Sequence, residues 1–181
     1  MTEHDIMQQL KRAGHYFVMS VWTQSQMVFL IALKENETEL GGYIADTLTI
    51  PKGIVQRRFE LMKLSFNPVL NIFCETFEIS EQCLKDLHTV SNMRDFIAHS
   101  FISLGKDYFL YTPSSDRRQA KIQEQMDIRV PESEELAGPD IYKISFRDEI
   151  FDHNFAAIER LDKDHFEEIG KRMGLSRNMV R

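Results

Sequence analysis

Apolar residues recur every three or four positions from the start of the chain to about residue 34. Ile6, Leu10, Ala13, Phe17, Val21, Val28 and Ile31 keep that spacing, which predicts one long helix over 3–34 with Thr2 able to cap it. Gly41-Gly42 interrupts the pattern. Pro51 stands where a first helical turn tolerates it, and 54–66 reads as a second helix with Phe59, Met62 and Phe66 turned inward. Pro68 lacks an amide proton and is expected to kink or restart the helix, which continues over 69–77. Ser80 suits the N-cap of a third helix over about 81–103.

After Gly105 the pattern changes. Tyr108-Phe109-Leu110-Tyr111 and the stretch 141–146 are strand candidates, with Pro113-Ser114-Ser115 turning the chain between them. The polar stretch holding Pro131, Gly138 and Pro139 reads as loop. Ser145 followed by Asp148 resembles a capping box. It would open a last helix that carries Phe151, Phe155, Ile158, Leu161 and Ile169 to about residue 172. The expected fold is mainly α: a bundle of four to five helices with a small β-hairpin or loop insertion before the last helix. One domain is expected over 1–175, with 176–181 as a flexible tail.

Composition narrows the function classes. The 181 residues are 43% hydrophobic and 28% charged, with a formal net charge of −6. That balance excludes a protein that coats nucleic acid through many phosphate contacts, which needs an excess of Lys and Arg. The acidity is uneven, however. Residues 132–168 hold twelve Asp and Glu against four Lys and Arg, a net of −8, so the remaining chain is +2. One small anion-binding cleft is therefore compatible with the charge, with Arg117, Arg118 and Lys121 placed to flank it, and the acidic stretch could face a basic partner. Cys74 and Cys83 are too few for a disulfide framework and read as thiols in a reducing compartment. No Cys or His spacing spells a metal site, and no cofactor is expected. The first residues lack the basic region of a signal peptide, and Thr23-Gln24-Ser25-Gln26 interrupts the apolar stretch 16–33. A cytoplasmic protein without a membrane partner is expected.

The third helix carries the candidate chemistry. At 100° per residue, Leu87, Val90, Met93, Ile97 and Phe101 share one arc, the expected core face. His88, Asn92, Asp95 and His99, spaced by four, three and four residues, form a narrow stripe on another face. An imidazole titrates near neutrality, and a carboxylate one turn away can orient it, so Asp95 and His99 make a possible proton-transfer pair. The stripe also fits a solvated helix face, or a cation site that lacks enough ligands. Arg94 lies at the edge of the apolar arc, where a guanidinium needs a partner or a solvent-filled groove. Arg94 and His99 are about 140° apart on a straight helix and do not share a face.

The segment Arg94-Asp95-Phe96-Ile97-Ala98-His99-Ser100 resembles the R-x4-H motif of the HEPN superfamily, with a polar residue after the Arg and an Ile-Ala-His-Ser ending. The layout is similar over about 3–172. The resemblance implies a helical bundle that forms a two-fold homodimer with a composite active site, which would let groups from two helices converge. It implies a metal-independent endoribonuclease, of the kind found in toxin–antitoxin or phage-defence systems, that leaves a 2′,3′-cyclic phosphate and a 5′-OH. A basic antitoxin or other partner protein could then use the acidic 132–168 surface. By that resemblance Arg94, Asp95 and His99 are catalytic: His99 as base or acid, Arg94 on the phosphate, Asp95 orienting either. His88, Asn92, Ser100, Tyr108 and Tyr111 are candidates for RNA contact, the tyrosines by stacking a base. The alternative is a non-catalytic HEPN-like dimer that binds a nucleotide or a protein.

Overall fold

A computed structural model describes residues 3–39, 41, 50–102, 108–112, 115, 120, 142–145 and 148–175. The tail at 176–181, the bases Arg117, Arg118 and Lys121, and nearly all of the loop between the strands lie outside the described residues. The architecture is mainly helical. In chain order it has α1 (Glu3–Glu35), α2 (Lys52–Leu61), α3 (Phe66–Thr76), α4 (Glu81–His99), strands β1 (Phe101–Ile102), β2 (Tyr108–Tyr111) and β3 (Tyr142–Ser145), α5 (Asp148–Arg160), a π-helical turn (Leu161–Phe166) and α6 (Glu167–Arg172). The stretch read as one domain gathers into two compact units. The first comprises 1–18 with 92–156, the second 19–91 with 157–181, and each boundary falls inside a helix.

The second unit is built on apolar helix faces. From Gln26 to Leu33 every residue of α1 is buried, as expected where a helix is apolar around its whole circumference. By length and composition α1 could cross a membrane, with mean hydropathy 1.4 over its most apolar window, but 67% of that window is buried inside the protein. Ile54 and Leu61 are the buried residues of α2. Phe59 and Met62, expected to face inward, are 68% and 47% exposed. Phe59 lies about 140–160° around the helix from Ile54 and Leu61, and Met62 falls in the turn beyond the helix end. Phe66 is buried, but as the first residue of α3; Pro68 sits in the first turn of that helix, where its missing donor has no partner to lose. Phe73 packs edge-on against Phe166 with ring centroids 5.9 Å apart.

Capping ends the helices where the chemistry allows. The Ser80 hydroxyl accepts the Cys83 N–H at 3.1 Å and opens α4. At the other end of the chain Gly174 has φ 78°, and the N–H groups of Gly174 and Leu175 donate to the carbonyls of Lys171 (3.0 Å) and Gly170 (2.9 Å). This is a Schellman closure, and the left-handed backbone it needs favours glycine.

The first unit holds the sheet. Its strand order is β1-β2-β3, antiparallel throughout, with Phe101 opposite Leu110 and Tyr111 opposite Tyr142. Thus α4 stops at His99 rather than at 103, and Phe101 belongs to a strand rather than to the helix core face. Ile97 is only half-buried, while Phe96 is fully buried and packs on Tyr111, ring centroids 5.1 Å apart. The aromatic β2 strand captures the face of α4 that carries Phe96, and the buried face shifts with it. Tyr16 and His15 pack on Phe155 with ring centroids 5.5 Å and 5.0 Å away.

Candidate functional site

The last two turns of α4 position the motif. They belong entirely to the first unit, with Asn92, Asp95 and His99 on one helix face. Arg94 is half-buried, and its guanidinium lies over the Phe17 ring of α1 at 5.7 Å from the centroid. A cation over an aromatic face is held electrostatically as well as by packing, so α1 fixes the direction of this side chain. Asp95 is half-buried. His99 is the last residue of the helix and is exposed. The helix is regular to that point, so Arg94 and His99 stay about 140° apart and no single copy of α4 directs both at one atom.

The neighbouring candidates separate into two groups. Asn92 is half-buried, and its amide nitrogen is buried with no hydrogen-bond partner among the described residues. A buried donor left without a partner is costly to the fold. Ser100 donates its hydroxyl to the Phe96 carbonyl at 2.6 Å, closing the helix end. Tyr108 is half-buried. Tyr111 is only 2% exposed and is packed on Phe96, so its ring is part of the core and presents no face for a base. His88 is half-buried and belongs to the second unit. Among the described residues no group of three or more His, Cys, Asp or Glu is arranged to hold a metal ion.

A second constellation, absent from the sequence reading, surrounds Asp86 in the second unit. The Asp86 side chain is 2% exposed. Its carboxylate accepts two hydrogen bonds from Arg160, at 3.0 Å from Nε and 2.7 Å from Nη2, and a third from Gln82 at 2.9 Å. Nε2 of His165 lies 3.7 Å from the same carboxylate. Bonding to Asp86 holds the Arg160 guanidinium above its ordinary range, against the opposing effect of desolvation. Arg160 and His165 are themselves an Arg-x4-His pair. In an α-helix they would diverge by about 140°. They are separated here by the π turn, whose roughly 4.4 residues per turn leave them only about 50° apart. That turn brings both cation-forming groups to one buried acid. The repeated spacing in the sequence was a usable signal; the π geometry was not.

Burial pushes the Cys83 thiol up to about 12, with the charge of Asp86 adding to the effect, and Cys74 is raised for the same first reason. Neither is poised as a nucleophile. The chain matches no family model, no curated protein and no solved structure.

Proposed function

We propose that this chain is a metal-independent endoribonuclease of HEPN type that works as a homodimer through Arg94, Asp95 and His99. The observation that carries the reading is the state of the two key side chains. His99 is exposed at the end of α4 with no hydrogen bond or ion pair among the described residues, while Arg94 is held over Phe17. An imidazole left out of packing beside an oriented guanidinium suits acid–base chemistry on a phosphodiester.

In that reading two copies of α4 meet across a two-fold axis, which answers the divergence of Arg94 and His99 on one helix. One His99 imidazole takes the proton of a ribose 2′-OH. The 2′ oxygen attacks the adjacent phosphorus, and Arg94 stabilises the added negative charge. The bond to the 5′ oxygen breaks, and a protonated imidazole gives that oxygen its proton. The products are a 2′,3′-cyclic phosphate and a 5′-OH. Asp95, one turn before His99 on the same helix face, is placed to orient its ring once RNA is bound.

The test is incubation of the purified protein with total RNA in EDTA, followed by mapping of the new ends. Cyclic phosphate ends formed at full rate in EDTA agree with the reading. Cleavage that requires a divalent ion, or that leaves 5′-phosphate ends, contradicts it.

A further inference from the structure

One aromatic ring of α1 meets the cation of the motif helix. In the first unit Ala13 is 3% exposed and Tyr16 fully buried, so this arc of α1 fills the core. Phe17 lies at the edge of that arc, half-buried, and Val18 beyond it is 63% exposed. Packing at such a border asks only for an apolar side chain, and Leu or Met would serve. An aromatic ring adds a negative face, and the Arg94 guanidinium lies over it, 5.7 Å from the ring centroid. Both residues belong to the first unit. His99 is in the opposite state, exposed at the helix end. The site thus combines a guanidinium held by a neighbouring helix with an imidazole that solvent reaches.

We infer that Phe17 is a positioning residue for Arg94, and that its aromatic face, not its bulk, sets the turnover of the proposed site. The inference rests on the cleavage reading and adds to it a residue outside the motif. An Arg side chain is long and rich in rotamers. Its guanidinium must be ordered before it can stabilise charge on a phosphate, and ordering left to the moment of reaction raises the barrier. A ring holds the cation by its quadrupole and, unlike a carboxylate, neutralises none of its charge, so the guanidinium still attracts a phosphate. Leu at position 17 would keep the packing and lose that hold. The contribution belongs to the transition state, where negative charge grows, and so falls on kcat rather than on KM.

The experiment uses the full chain and a labelled RNA fragment that spans a cleavage site mapped on total RNA, with kcat and KM measured in EDTA. Phe17→Leu is expected to lower kcat about tenfold (about 1.4 kcal/mol, the order of a partly desolvated cation–π contact) with KM within about twofold. Phe17→Tyr keeps the ring face and is expected to stay within about twofold of the wild type in kcat. Ser80→Ala, which loosens α4 at its far end, is expected to lower the thermal midpoint and leave kcat unchanged. If Phe17→Leu does not fold, Phe17→Met fills the same gap with a flexible chain and repeats the test. A Phe17→Leu chain as fast as the wild type overturns the inference, as does a Phe17→Tyr chain as slow as Phe17→Leu. A loss confined to KM, or an equal loss in Ser80→Ala, also overturns it. A wild-type chain that cuts no RNA ends the cleavage reading, and the inference with it. An active wild type beside an equally active Phe17→Leu ends the inference alone.

Discussion

Replacing Arg160 by Met should cost this protein about 3 kcal/mol of stability. Asp86 is 2% exposed and takes two of its three hydrogen bonds from Arg160. Arg160→Met leaves a buried carboxylate with Gln82 and a His165 imidazole 3.7 Å away. Removing one partner of a buried ion pair costs about 3–5 kcal/mol, and the 39% exposure of the Arg160 side chain, which lets water reach the acid, sets the lower end of that range. The assay is urea unfolding followed by circular dichroism. With m of about 2 kcal/mol/M, Arg160→Met should lower the midpoint by about 1.5 M. Adding Asp86→Asn to Arg160→Met should recover part of the loss, because the unpaired charge disappears. A midpoint shift below about 0.3 M for Arg160→Met would refute the reasoning, since it would mean that the carboxylate does not depend on this partner.

Other outcomes follow from the same geometry. Tyr111→Ala should destabilise by about 3–5 kcal/mol in the same urea assay, as loss of a buried ring does, whereas a base-stacking residue would be truncated at little cost. Ser80→Ala should cost about 1 kcal/mol through loss of the bond to the Cys83 N–H, read as a midpoint shift of about 0.5 M. Burial holds the Cys83 thiol at about 12 and raises the Tyr16 phenol. The unfolded chain therefore releases these protons first. The contribution of these two groups should be constant up to about pH 8.5 and then fall as pH rises, by at most about 1.4 kcal/mol per unit for each group. Cys83→Ser should reduce that alkaline slope.

The long first helix, the Ser80 cap, the two main strands and the end of the last helix were all legible, because each rests on local periodicity or on a residue with one strong preference. What sequence alone did not show depended on distant partners. Phe59 and Met62 fit an apolar helical pattern, yet α2 is too short and its buried pair, Ile54 and Leu61, faces the other way. Ile97 fitted the core arc of α4 better than Phe96 did, until an aromatic strand packed on the Phe96 side. Asp86 looks like any surface acid in a helix, and nothing local marks the π turn that brings Arg160 and His165 to it. Of the candidate site, the spacing of Asn92, Asp95 and His99 was readable from one helix, while the seat of Arg94 on Phe17 required a second.

The account turns on what His99 is for. Its most direct test places wild-type and His99→Ala protein side by side on total RNA in EDTA, with the thermal midpoint of each recorded. The expected result is cleavage by the wild type, its loss by at least a hundredfold (about 2.7 kcal/mol) in His99→Ala, and midpoints within about 1 °C, because an exposed imidazole at a helix end supports no packing. Equal cleavage by both proteins, or a variant that loses activity only because it has lost its fold, would contradict it.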